Sequence, residues 1–93
     1  MIESFRSKAL ERFWWKDEPR RVAPHHVKRL TLVLSLLDAA NEPAGMDIPG
    51  LAFHPLEGDQ AGRYAVRVDG NWRVTFRWSL EGNAAAVDYE DYH

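Results

Sequence analysis

An α+β fold, with an N-terminal helical hairpin packed on a twisted, mainly antiparallel β-sheet, is the class this sequence predicts. Apolar residues recur at helical spacing through the first forty or so residues and on alternate residues from Arg63 onward. Glycine-centred turn signals at 69–71 and 81–82 divide the second half into hairpin-joined strands.

Phe5, Ala9 and Phe13 recur at i, i+4 and i+8, with Leu10 and Trp14 beside them and Arg6, Lys8, Glu11 and Arg12 outside the stripe. The charged stretch from Lys16 to Ala23, which contains Pro19, ends this helix near Trp15 or Lys16. Trp14 and Trp15 are adjacent and cannot both face one core, so one is expected at a partner interface or capping the hairpin. Pro24 suits the first turn of a second helix, whose stripe is Val27, Leu30, Val33, Leu34 and Leu37 and whose end is expected at Asn41, before Pro43. His25 and His26 are expected to face solvent near that helix start. Residues 41–50 read as an irregular connector. A short strand is expected over Leu51–Leu56, with Phe53 inward and His54 outward.

Tyr64, Val66 and Val68 alternate with Arg63, Ala65 and Arg67, and Trp72, Val74, Phe76 and Trp78 alternate with Arg73, Thr75 and Arg77. A two-residue loop at Asp69-Gly70 would pair Val66 with Arg73 and mix the faces. A three-residue loop, Asp69-Gly70-Asn71, pairs Val68 with Trp72, Val66 with Val74 and Tyr64 with Phe76, and burial of one face selects it. Arg67 then lies opposite Arg73, and Arg63 opposite Arg77, a like-charge arrangement that needs compensation. A two-residue turn at Glu81-Gly82 pairs Trp78 with Ala85, Phe76 with Val87 and Val74 with Tyr89, and sets Glu90 beside Arg73 and Asp88 beside Thr75.

With 93 residues the chain is expected to form one domain spanning 1–93. The absence of cysteine excludes disulfides, a thiol nucleophile and thiolate zinc sites. No apolar run approaches the roughly 18–20 residues of a membrane span, and no signal-peptide pattern opens the chain, so a small soluble cytoplasmic domain is expected. Residues 1–37 carry eight basic and four acidic side chains, and residues 38–93 carry four and ten. The basic half suits nucleic acid or an acidic partner, although charge alone favours a solvated helix face, and the net charge of −2 argues against a dedicated duplex binder.

The outward sheet face gathers Arg67, Arg73, Arg77 and His54. Arginine grips phosphate bidentately, and histidine as a residue type titrates near neutrality. The last residues, Asp91-Tyr92-His93, add a carboxylate, a phenol and a second imidazole. RNA cleavage by its own 2′-hydroxyl needs a base, an acid and a cation to stabilise charge on phosphorus oxygens, without a metal or other cofactor. His54, Asp91 and His93 match no metal-ligand spacing, so no metal site is expected. Bland readings stand beside these: Arg73 as an ordinary partner of Glu90, and a frayed terminus. Composition and spacing alone stop at an α+β domain suited to phosphate.

Met1-Ile2-Glu3-Ser4-Phe5-Arg6, Val27-Lys28-Arg29-Leu30, Leu37-Asp38-Ala39-Ala40, His54-Pro55-Leu56-Glu57-Gly58-Asp59, Gly70-Asn71-Trp72-Arg73-Val74-Thr75-Phe76 and Asp88-Tyr89-Glu90-Asp91-Tyr92-His93 together resemble the HigB toxins of the RelE superfamily. The resemblance spans essentially the whole chain, and the Gly-Asn-Trp-Arg run and the Asp-Tyr-His terminus are its specific parts. It implies a RelE-like fold and a toxin that cleaves translated mRNA in the A site of the 70S ribosome by metal-free 2′-hydroxyl attack. It also implies a HigA-like helix-turn-helix antitoxin as partner, with operator DNA reached only through it and no membrane involved. By the same resemblance, His54 is an acid–base candidate, Arg73 binds the scissile phosphate, Asp91 orients an imidazole, Tyr92 stacks on a base and His93 is the second acid–base group. Arg67 and Arg77 are expected to bind RNA from the same sheet face. Many family members have lysine where this chain has Glu57. An anion there is expected to weaken RNA binding, which keeps open a catalytically weak or inactive module that binds antitoxin and contributes to operon control.

Overall fold

Ser7 is extended, at φ −82° and ψ 120°, and its hydroxyl accepts the Leu10 N–H, which opens a helix at the next residue. The computed structural model, which describes residues Met1–Asp91, accordingly sets α1 at Lys8–Trp15. Phe5, expected in that helix, lies ahead of it. It forms a parallel bridge with Val87, as Ile2 does with Ala84, and the Arg6 and Ser7 N–H groups donate to the Val87 carbonyl. The serine cap ends the helix on one side, and the sheet edge takes the backbone groups on the other. α1 buries Leu10 and Phe13 and stops at Trp15, as the sequence pattern requires. Trp14 packs against the core, whereas Trp15 is exposed and meets Phe5 edge-on at 4.9 Å.

A 3₁₀ turn at Pro24–His26 leads into α2, Val27–Ala39, which buries Leu30, Val33, Leu34 and Leu37. The helix ends before the expected Asn41, because Ala40 is already extended at ψ 142°. The Asp38 carboxylate accepts the Ile2 N–H at 2.9 Å and ties the start of the chain to the end of α2. The connector contains a 3₁₀ turn at Pro43–Met46, which drives Met46 into the core.

The sheet comprises β1 (His54–Pro55), β2 (Arg63–Asp69), β3 (Trp72–Trp78) and β4 (Ala84–Asp91), antiparallel in the order β1-β2-β3-β4. The strand expected over 51–56 pairs regularly only at His54–Pro55, because Ala52 takes a left-handed φ of 50° and bends the chain. Its flanks stay attached through Arg67 N–H to the Leu51 carbonyl and Leu56 N–H to the Arg63 carbonyl.

The strand centres pair as the apolar pattern demands: Tyr64–Phe76, Val66–Val74, Arg67–Arg73, Arg63–Arg77, then Val74–Tyr89, Arg73–Glu90 and Thr75–Asp88. Both turns differ from expectation. Asp69, not Val68, lies opposite Trp72, so the loop is the two residues Gly70-Asn71, and a register shift between Arg67 and Asp69 absorbs Val68. At the other hairpin Ser79 and Asn83 close a three-residue loop through a 2.8 Å bond, and Trp78 lies opposite Ala84 rather than Ala85. The shift between Thr75 and Arg77 then takes Phe76–Val87 out of the regular ladder. Ala86, at φ 49°, sits in that shifted stretch, and Ser4 Oγ accepts its N–H at 2.9 Å.

The core lies between α2, α1 and the inward sheet face, where Val66, Val74, Phe76 and Val87 are fully buried. Among the described residues no helix is long and apolar enough to cross a membrane. Phe76→Ala is expected to cost about 3–5 kcal/mol of stability by urea unfolding, and exposed Arg20→Ala within about 0.5 kcal/mol.

Candidate functional site

Cross-strand partners share a face, so the register writes the outward face as rows. One row runs His54, Ala65, Thr75, Asp88, and the next runs Arg67, Arg73, Glu90. Ala65 and Thr75 are small and fully buried, which leaves the longer side chains around them to form the relief of the face.

His54 is exposed, and its Nδ1 lies 2.9 Å from the Ala52 carbonyl. A carbonyl only accepts, so Nδ1 carries the proton and, in the neutral ring, Nε2 carries the lone pair. The left-handed turn at Ala52 is what brings that carbonyl back under its own histidine.

A cleft of about 660 Å³ opens beside the ring, lined by His54, Glu57, Gln60, Arg67, Trp72 and Arg73 among others. Arg73 Nε and Nη2 donate to one oxygen of Glu90, at 3.2 and 3.0 Å, which holds the guanidinium at the cleft wall. Glu90 also offsets the charge of Arg73 opposite Arg67. The cleft therefore joins an imidazole to two guanidinium groups, the kind of side chains that a phosphodiester calls for. Glu57 sits in the same cleft and opposes that field.

Arg77 is exposed one row along, opposite Arg63 and Ala85, and does not line the cleft. Asp91 is exposed and pairs with Trp72, which places it at the cleft rim. Tyr92 and His93 lie outside the described residues.

Arg63 is buried, although its place on the outward face suggested exposure. Its Nη2 donates to Thr75 Oγ1 and to the Ala86 carbonyl at 2.9 and 2.8 Å, a carbonyl lying in the register shift. Burial, reinforced by nearby Arg6, pulls its pKa below the ordinary arginine value. It is a structural arginine, held against the sheet by Thr75 and β4, with Arg77 still opposite it.

On the helix side lies a second polar cluster that sequence reasoning missed. His26 is almost fully buried, not solvent-facing. Its Nδ1 lies 2.6 Å from Tyr89 Oη, and its ring stacks edge-on to Trp72 and Tyr89. His25 is exposed as expected. The missed signal was Pro24: its tight 3₁₀ turn points successive side chains in different directions, so two adjacent histidines need not share an environment.

A helix pair over a four-stranded antiparallel meander is the α+β arrangement of a RelE-like fold. A family model described as "RelE-like toxin of type II toxin-antitoxin system HigB" matches residues 3–93, and the chain belongs to this HigB-like toxin family. The chain is 36% identical over 93 residues to "Endoribonuclease HigB" of Proteus vulgaris, with all of both chains covered. It is 35% identical over 95 residues to "Toxin HigB-1" of Vibrio cholerae serotype O1, covering all of this chain and 98% of that one. A toxin of a type II system implies a cognate antitoxin as partner.

Burial raises the Tyr89 phenol above its usual value of 10.0, with the Ala23 N–H opposing in part. The unfolded phenol ionises first as pH rises, so the folded state loses stability above about pH 10. Urea unfolding between pH 8 and 11 should show that decline, and Tyr89→Phe should remove this tyrosine's share of it.

Proposed function

We propose that this protein is a ribosome-dependent endoribonuclease that cleaves translated mRNA in the A site of the 70S ribosome. The observation that carries the reading is the convergence of His54, Arg67 and Arg73 on one cleft, in a chain related over its whole length to a protein named an endoribonuclease. His54 Nε2 removes the 2′-hydroxyl proton, the 2′-oxygen bonds to the adjacent phosphorus, and the bond to the 5′-oxygen breaks. The products are a 2′,3′-cyclic phosphate and a 5′-hydroxyl. Arg73, held by Glu90, and Arg67 stabilise the charge that builds on the phosphorus oxygens. By family resemblance His93 protonates the leaving oxygen, Asp91 orients an imidazole and Tyr92 stacks on a base. Arg77, outside the cleft, guides the flanking RNA backbone. So small a set of acid–base groups gains from a ribosome that positions the RNA. The protein acts in the cytoplasm, and a HigA-like helix-turn-helix antitoxin neutralises it and carries it to operator DNA.

Glu57 in the cleft favours a second reading, an attenuated enzyme kept for its antitoxin binding and operon control. Toeprinting of mRNA on 70S ribosomes separates the two. Cleavage at the A-site codon by the wild type is expected, slowed about 10²–10⁴-fold in His54→Ala and about 10²–10³-fold in Arg73→Ala. Glu57→Lys is expected to speed cleavage. Intact mRNA with folded wild-type protein would leave the interaction module as the correct reading.

A further inference from the structure

The cluster around His26 lies apart from the cleft and has the chemistry of a metal site. The register shift that absorbs Val68 sets Asp69 opposite Trp72, on the face that packs toward the helices. In an unbroken strand Asp69 would share the outward face of Arg67. The shift instead brings Asp69 Oδ2 within 3.5 Å of His25 Nε2 and 3.4 Å of His26 Nε2, and one ligand atom from each of the three residues lies within 4.8 Å of the others. The ligand atoms of a tetrahedral zinc site with bonds of about 2.0–2.1 Å stand about 3.3 Å apart. The two distances to Asp69 already match that edge.

A second observation is the state of His26. The residue is 1% exposed, and its Nε2 is buried without a hydrogen-bond partner, aimed into the cluster. Its other nitrogen is occupied by Tyr89 Oη at 2.6 Å, and the same oxygen takes the Ala23 N–H at 3.5 Å. An imidazole held from behind through one nitrogen, with the other turned to a carboxylate, is the arrangement in which histidine ligates a metal. Trp72 packs against the ring at 5.6 Å and fixes its plane. Two imidazoles and a carboxylate suit zinc better than magnesium or calcium, which take mainly oxygen ligands.

We propose that His25, His26 and Asp69 form a three-ligand site for a zinc-class divalent cation, with water in the fourth position, that clamps the turn before α2 to the β2–β3 hairpin. That hairpin also supplies Gly70, Asn71 and Trp72 to the cleft, so the cation braces one cleft wall from behind without entering it.

The test is zinc titration by calorimetry on tag-free, chelator-treated full-length protein, with melting temperature read in parallel. One zinc per chain is expected, with a melting temperature several degrees higher at saturating metal. His25→Ala and Asp69→Asn change exposed side chains, 70% and 59% accessible, so both should fold; each should weaken binding at least tenfold. Cobalt should give the strong visible bands of tetrahedral coordination, lost in Asp69→Asn. His54→Ala should bind zinc as the wild type does. No binding, or binding that survives both cluster variants or depends on His54, would overturn the site.

Discussion

Burial of the inward sheet face under α2 is the constraint on which the rest depends. Val66, Val74, Phe76 and Val87 meet Leu30, Val33, Leu34 and Leu37 in one cluster with essentially no solvent access. A one-residue slip of β2 would turn Val66 outward, and a slip of β3 would turn Val74 and Phe76 outward, at roughly 1.5–3 kcal/mol for each large apolar side chain. The register is therefore held by the core. Every polar row on the far side is its consequence.

That consequence is costly in electrostatic terms, because it sets arginine opposite arginine twice. The protein resolves the two pairs differently. Arg73 keeps its place on the open face and donates to one carboxylate oxygen of Glu90 through two nitrogens. Arg63 is buried flat against the sheet, bonded to Thr75 and to the Ala86 carbonyl. One arginine pair thus remains at a cleft as a concentrated positive field, and of the other pair Arg63 becomes internal support while Arg77 stays exposed. The His54 ring, oriented by the Ala52 carbonyl, completes the cleft from a strand only two residues long.

The register shifts carry more of the design than their size suggests. Each compensates a turn of unexpected length, one too short at Gly70-Asn71 and one too long at Leu80-Glu81-Gly82. The pairing of the strand centres is the same either way, since a shortened loop plus an absorbed residue equals a longer loop. The local effects are not the same. One shift turns Asp69 toward the histidines before α2. The other frees the Ala86 carbonyl for Arg63 and its N–H for Ser4, which fastens the first residues of the chain to the sheet edge.

The fold class, the helix stripes, the pairing of strand centres and the convergence of His54, Arg67 and Arg73 are all legible in the sequence by itself. Each follows from periodicity and from the need to bury one face, and those signals are local. Family membership was legible in the His-Pro-Leu, Gly-Asn-Trp-Arg and Asp-Tyr-His segments. Tertiary structure alone decided the rest. Whether Phe5 joins α1 depended on a distant strand edge competing for its backbone. Whether Arg63 is solvated depended on a carbonyl twenty-three residues away, and whether His26 is solvated depended on Tyr89 and Trp72 closing over it. Turn length was undetermined because the core constrains strand centres and is indifferent to how the residues beyond them are shared between loop and bulge.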